Sequence, residues 1–200
     1  MWQIGTALDE EVRLARMWAT AEPFPHLVLD DLVRAESLAD LLAVVEEEPI
    51  HDYRGDIFSF EASAPEPRTA ELRELRESFA ASLSPRLARI TGKPLRRADL
   101  RAYAYRAGHY LLPHSDHQEG VGRSVAFAYY LPSPEPPTGG ELELFDVVLA
   151  AGEVTATTSA RLIEPRANRL CVFDVSDVSL HQVREVLSGL RPSLSGWFYP

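Results

Sequence analysis

His114, Asp116 and His181 are the residues of this chain best suited to metal chemistry. Two imidazoles and one carboxylate can occupy one face of an Fe(II) ion and leave the opposite face open for a co-substrate and oxygen. His114 and Asp116 are two apart, so on an extended segment they face the same side. His181 can meet them if its strand is a neighbour in the sheet or across a barrel. Ten positions after His181 comes Arg191-Pro192-Ser193. Alternate residues of a strand share a face, so this guanidinium and hydroxyl can hold the far carboxylate of an organic acid.

Each part is cheap alone. With six histidines and eleven aspartates, chance supplies roughly one third of an H-x-D per chain of this composition. Context raises the signal. An apolar lead-in, Tyr110-Leu111-Leu112-Pro113, precedes the motif, Gly120-Val121-Gly122 follows it, and a long strand comes next. The second histidine and then Arg-x-Ser arrive later, in the order such a site needs. Alone, His181 reads as a core histidine and Arg191 as a surface charge. His109 and His117 flank the motif without the ligand register and are read as non-ligands near the entrance. Arg184 has the opposite strand parity to His181 and suits an ion pair as well as a substrate contact.

The elements that must position these groups change character near the middle of the chain. Residues 1–95 read mainly as helices. Thr6 to Ala21 places Leu8, Val12, Ala15 and Ala19 at helical spacing, and His26-Leu27-Val28-Leu29 is a short strand after Pro23-Phe24-Pro25. From Ser37, Leu38, Leu41, Leu42 and Val45 form an apolar stripe. Glu46-Glu47-Glu48 reads as a solvated helix end. Thr69 is an expected N-cap for a helix carrying Leu72, Leu75, Phe79 and Leu83. Ser84-Pro85 reads as a fresh start with Leu87 and Ile90, closed by Gly92. These stripes are read as core-facing. Ile50 to Pro67 reads as a loop whose Tyr53, Arg54, Asp56, Phe58 and Phe60 suit either a lid or an ordinary surface.

Residues 96–200 read mainly as strands: Leu100–Arg106, Ser124–Leu131, Glu141–Phe145, Arg169–Phe173, Gln182–Leu187 and Arg191–Tyr199. Val147 to Ala160 has no clear period and reads as a loop with one more edge strand. On the last strand Arg191, Ser193, Ser195 and Trp197 share one face, and Leu194, Gly196 and Phe198 the other. Six or more short strands with turns between them suggest a sandwich or barrel, with the jelly roll as main candidate. Helices packed on such a sheet make an α+β class.

Composition narrows the function. A formal charge of −10 and a pI near 5.1 argue against a general nucleic-acid binder, which needs basic surface to displace counterions. Lys93 is the only lysine among 20 basic residues, a bias that a GC-rich genome explains. Cys171 is the only cysteine, so no intrachain disulfide forms, and its run Leu170-Cys171-Val172-Phe173 reads as a buried strand. No stretch resembles a secretory signal or a membrane helix. The expected address is the cytoplasm, with no membrane partner. The oligomeric state is not legible.

Taken together, the chain resembles the 2-oxoglutarate- and Fe(II)-dependent oxygenases, in their prolyl-4-hydroxylase-like branch. Tyr105-Arg106-Ala107-Gly108 with His114-Ser115-Asp116 is similar to the family's first metal-binding strand. Tyr129-Tyr130-Leu131 with Gly139-Gly140-Glu141-Leu142 is similar to its next hairpin. Ile163-Glu164-Pro165 with Arg169 to Phe173, then His181-Gln182-Val183 and Arg191 to Phe198, complete the match, roughly Leu100 to Pro200. Pro23 to Asp31 resembles the branch's entry strand.

The resemblance implies a double-stranded β-helix core in one oxygenase domain spanning 1–200, with 1–95 as mainly helical support and 96–200 carrying the site. It implies iron at His114, Asp116 and His181. Arg191 would hold the distal carboxylate of 2-oxoglutarate, with Ser193 and Tyr130 adding hydroxyl bonds, Tyr105 lining the pocket and Leu142 packing on the co-substrate chain. The implied cofactors are Fe(II), 2-oxoglutarate and O2, with ascorbate as a further candidate. The implied reaction is hydroxylation of an aliphatic C–H with release of succinate and carbon dioxide. Related halogenases replace the carboxylate ligand by a small residue, and Asp116 favours hydroxylation. The substrate is a prolyl residue of a protein or peptide, a free amino acid or a natural-product intermediate. A non-oxidative cupin-like metal protein or isomerase is the rival from another class, and it has no need of Arg191-Pro192-Ser193. A silent binding protein would not need the intact ligand set.

Overall fold

Why the second half alternates so regularly becomes clear in the computed structural model, which describes residues 2–200. In chain order the elements are α1 (Glu11–Thr20), β1 (His26–Leu29), α2 (Ala35–Glu47), β2 (Ile50–Gly55), β3 (Phe58–Ser63), α3 (Ala70–Thr91), β4 (Arg97–Ala98), β5 (Arg101–Arg106), β6 (Tyr110–His114) and β7 (Val125–Tyr130). There follow β8 (Thr138–Gly139), β9 (Leu142–Ala150), β10 (Glu153–Ile163), β11 (Leu170–Asp174), β12 (His181–Val183), β13 (Val186–Ser188) and β14 (Leu190–Tyr199). Twelve strands form one sheet in the order β1-β11-β7-β14-β5-β3-β6-β12-β9-β10, with β2 beside β3 and β4 beside β14. Every pairing within it is antiparallel. The sheet curls into a nearly closed barrel, the double-stranded β-helix expected from the sequence. A small two-stranded sheet, β8 with β13, lies apart from it. No helix among the described residues is long and apolar enough to cross a membrane.

One layer of this barrel is backed by the helices. All six residues of β7 are buried, because each face has its own neighbour. Val125, Phe127 and Tyr129 join the helix-side core, with Leu194 and Phe198 of β14. Phe79 of α3 stacks 4.6 Å from Phe127 and 5.5 Å from Phe198. The opposite face of β7 carries Ala126 and Ala128, whose small side chains leave room for a cavity.

The helices depart from expectation in three places. α1 starts at Glu11 and buries Leu14 and Trp18, whereas Val12 is 71% exposed. An i, i+4 pair of large side chains outcompetes the smaller Ala15 and Ala19 for the core. α3 runs unbroken through Pro85. Proline costs one intrahelical bond, but Leu83, Leu87 and Ile90 continue the buried stripe of Leu72, Leu75 and Phe79, and that packing holds the helix together. Thr69 does cap it, accepting from Leu72 N at 3.3 Å, and Gly92 ends it at φ 71°.

Glu48 is no solvated helix end. It is 3% exposed and accepts from Arg68 N, Thr69 N and Thr69 Oγ1 at 2.6–2.9 Å. Burial raises its pKa, but these three bonds outweigh burial and hold the carboxyl below its ordinary range. It thereby anchors the start of α3, where exposed N–H groups favour an anion.

Two loops of the sequence reading are hairpins. Ile50 to Pro67 contains β2 and β3 in regular antiparallel register. β3 sits between β5 and β6, so the first 95 residues contribute strands to the barrel as well as helices. Val147 to Ala160 lies in the long β9–β10 hairpin, with bulges after Val154 and Ser159. β10 is exposed along nearly its whole length, which removes the burial alternation that sequence reading depends on.

Candidate metal centre and adjoining cavity

β6 and β12 pair antiparallel with His181 directly opposite His114. Their rings lie 4.3 Å apart. Asp116, two residues beyond β6, turns back toward both, with its carboxylate 3.8 Å from His114 Nε2 and 3.5 Å from His181 Nε2. One donor atom from each of the three falls within 4.8 Å of the others.

The backbone orients both rings. His114 Nδ1 lies 2.9 Å from Leu112 O, and His181 Nδ1 lies 3.0 Å from Ser179 O. A carbonyl can only accept, so each Nδ1 carries the proton and each Nε2 offers its lone pair to the common centre. Burial pushes the His181 pKa down to about 4, against the opposing pull of the Asp116 charge and with a further lowering from His114. His181 therefore stays in the neutral, ligating form at ordinary pH.

A set of serines fastens the two ligand segments together. Ser115, the middle residue of H-x-D, donates to Ser176 O at 2.8 Å. Ser179 donates to the same carbonyl at 2.8 Å and accepts from Ser176 N at 2.9 Å. The loop leading to His181 is thus tied to the loop carrying Asp116.

These residues open onto a cavity of about 320 Å³. Arg191, Tyr105 and Leu142 line it with the triad. Arg191 is 2% exposed. It donates from Nε to Gly140 O at 2.7 Å and from Nη2 to Tyr130 Oη at 3.3 Å. Its guanidinium lies 4.9 Å from the Tyr105 ring and 4.8 Å from the Tyr130 ring. A side chain at Gly140 would come within 2.9 Å of Arg191 Cδ, so the close approach requires glycine there. Among the described residues no carboxylate lies within 4.0 Å of this buried cation. Burial raises the pKa of Tyr105 and Tyr130, with Arg191 opposing, so both remain phenols able to donate.

Tyr130 and Ser193 sit behind the wall. Ser193 Oγ is 3.3 Å from Ser195 Oγ, and it is Ser195 that faces the cavity. His109 accepts from Arg106 N at 3.2 Å, away from the triad. His117 is 3.5 Å from Asp177 near the surface, and Arg184 is 3.8 Å from Glu143. Cys171 is fully buried, and its thiol is pushed up to about 12 by burial.

Three polar cavity residues, Arg101, Tyr103 and Arg123, were not singled out as contacts in the sequence. Arg101 and Tyr103 share the β5 face of Tyr105, a period-2 signal that was there to be used. The Arg123 guanidinium carbon lies over Trp197, 3.7 Å from the ring centroid, and Arg123 donates to Asp116 O at 3.3 Å. Arg123 Nε and Trp197 Nε1 are buried with no partner. Buried donors are nearly always satisfied, so these two are suited to receive an acceptor of a bound molecule. Nothing periodic marks Arg123, which lies in a loop just ahead of β7.

Comparison with known proteins agrees with this geometry. The family described as the 2OG-Fe(II) oxygenase superfamily matches residues 100–199. Prolyl 3-hydroxylase OGFOD1 of Mus musculus is 34% identical over 212 residues, which cover 99% of this chain and 36% of that protein. The chain therefore spans about a third of the length of the curated relatives it matches. A prolyl-4-hydroxylase from Pseudomonas putida superposes with a TM-score of 0.69 at 22% identity, covering 94% of this chain and 98% of that one. A prolyl hydroxylase from Trichoplax adhaerens, solved with a hypoxia inducible factor oxygen degradation domain peptide fragment, gives 0.70 at 17% identity, covering 97% and 90%. At these identities the two structures establish the fold.

Proposed function

The chain belongs to the 2OG-Fe(II) oxygenase superfamily, and from that premise we propose that it hydroxylates an aliphatic C–H of a prolyl residue in a protein or peptide. Family membership implies Fe(II), 2-oxoglutarate and O2. The donor set fits iron: two neutral imidazole nitrogens and one carboxylate, each imidazole with its other nitrogen held by a backbone carbonyl. Bound iron, with 2-oxoglutarate and O2, supplies the oxidising power, and the protein supplies position and shielding.

In this reading His114, Asp116 and His181 hold the ion on one side. Arg191 clamps the far carboxylate of 2-oxoglutarate, backed by Tyr130 and by the polar face that Ser193 and Ser195 share. Tyr105 offers a phenolic donor, and Leu142 packs against the carbon chain. Phe60, Tyr103, Phe173 and Trp197 make an apolar wall that excludes water and suits a pyrrolidine ring. Trp197 Nε1, buried and without a partner, receives a substrate carbonyl oxygen.

The observation that carries the reading is one cavity containing both the three-donor cluster and a buried arginine without a carboxylate partner. A cupin-like metal protein has no use for that arginine. The prolyl assignment is supported by the printed names of the relatives. Cys171, single and buried, leaves no disulfide to require an oxidising compartment, and a cytoplasmic location belongs to the same reading.

Anaerobic addition of Fe(II) and 2-oxoglutarate should produce the weak visible charge-transfer band of their chelate. The band should vanish in Asp116→Ala. Prolyl peptides should then gain one oxygen atom on exposure to O2, with one succinate formed per hydroxylation. Iron binding without the band would refute the co-substrate reading. Succinate formation without a prolyl product would refute the substrate.

A further inference from the structure

Three arginines line the cavity, and the co-substrate occupies only one of them. Arg191 is spoken for. Arg101 and Arg123 stand on the same cavity, near Asp116, Tyr103 and Trp197. Neither has a carboxylate within 4.0 Å among the described residues, although the chain holds 30 acidic residues and a formal charge of −10.

Both guanidinium groups are held in place without being neutralised. Arg101 donates from Nε and Nη2 to Ser63 O. Its guanidinium carbon lies 5.0 Å from the centroid of the Tyr53 ring and 5.3 Å from that of Tyr103. Arg123 is stacked on Trp197 and tethered to Asp116 O. Stacking occupies the faces of a guanidinium and leaves open to a carboxylate those in-plane donors not already bonded, as Nε and Nη2 of Arg101 are to Ser63 O. Arg123 Nε is one such donor, buried and unpartnered.

The charge balance points the same way. The cavity wall carries three guanidinium groups against the single carboxylate of Asp116. Fe(II) and the 2-oxoglutarate dianion, as read above, cancel one another. A surplus of two positive charges remains on the side facing the substrate, in a partly desolvated site where charge is felt strongly.

We propose that Arg101 and Arg123 form a carboxylate subsite, and that the substrate of this enzyme carries an acidic group close to the carbon that reacts. The subsite rests on the oxygenase reading, because it assumes that Arg191 is taken by 2-oxoglutarate. Two sources of the acid fit the same chemistry: an Asp or Glu side chain beside the target residue of a peptide, or the free terminal carboxylate of a small molecule.

The test is calorimetric titration under argon of protein loaded with Fe(II) and saturating 2-oxoglutarate, so that binding is read without turnover. The ligands are matched pairs. Doubly capped Gly-Pro-Glu against Gly-Pro-Gln probes the side-chain source, and N-acetylproline against its amide probes the terminal source. Capped Gly-Val-Glu against Gly-Val-Gln removes the proline. The acid should bind at least tenfold more tightly than its amide in one of the prolyl pairs, and the gap should shrink in 0.5 M salt. Arg101→Gln and Arg123→Gln should each erode that gap while leaving the amide's affinity unchanged, whereas a merely structural role would weaken both members alike. Equal affinity within every pair, undetectable binding included, overturns the subsite, as does a gap that survives both variants. Acid preference in the valyl pair alone keeps the subsite and removes the prolyl reading. Prolyl binding indifferent to charge does the reverse.

Discussion

The two faces of β7 and β14 were built for different purposes. On the helix side, Val125, Phe127, Tyr129, Leu194 and Phe198 meet the stripe of α3 in one continuous apolar core. On the barrel side the same strands present Ala126, Ala128, Ser195 and Trp197, with space between them. There a buried Arg191 has no carboxylate, and two buried N–H groups have no acceptor. One face is packed to bring the free energy of folding down. The other keeps unsatisfied groups at a cost in stability, and that cost is what a ligand recovers on binding. Strand alternation lets both coexist a single residue apart.

The contrast can be broken most severely from the packed side. Phe79→Ala removes a ring that touches Trp2, Phe127 and Phe198 and should cost about 3–5 kcal/mol of folding stability, measured by denaturant unfolding. What survives folded should still bind 2-oxoglutarate normally. Arg191→Met is the mirror experiment. It should leave the unfolding midpoint nearly unchanged or raised, since it deletes a buried charge without a partner. It should weaken 2-oxoglutarate binding roughly 10- to 100-fold, measured by the charge-transfer titration. Large destabilisation by Arg191→Met would show that the two faces are not separable.

Smaller effects refine the comparison. Glu48→Gln should cost about 1–2 kcal/mol by loosening the start of α3, without altering metal affinity. Because the folded pKa of Glu48 is lowered, its contribution is present above the unfolded carboxyl value and is lost as pH falls through the folded value. The wild-type protein should therefore lose more stability than Glu48→Gln between neutral pH and that acid range. Ser115→Ala should be the mildest in folding, about 0.5–1.5 kcal/mol, yet should raise the metal dissociation constant about tenfold, with rescue by Ser115→Thr. An unchanged metal affinity would reduce the Ser115–Ser176 bond to packing.

Legibility differed in the same way across the molecule. The clustering of His114, Asp116 and His181 and the placing of Arg191 on the same cavity could be read, because the chemistry of these types is peculiar to them and their order along the chain is constrained by strand parity. Leu72, Leu75 and Phe79 could be read because a helix repeats its buried face. Glu48 and Arg101 could not be assigned a partner, since what they touch lies 20 or more positions away, nor could Arg123, whose ring partner Trp197 lies on β14. The hairpin β2–β3 escaped for a related reason. Its outer strand is mostly exposed on both faces, so burial imposes no alternation to detect. Pro85 misled because local cost was weighed without the packing of Leu87 and Ile90 that offsets it.

The amino-acid order alone determined the class of the fold, the three donor residues and the arginine that follows them, because side-chain periodicity and ligand chemistry are local properties. Only the tertiary structure decided that His181 stands opposite His114, that Ser115 ties their loops together, and that Arg101 and Arg123 share a cavity without a counter-charge. Those facts depend on register and on which distant residues exclude water from one another, and neither is written into any short stretch of chain.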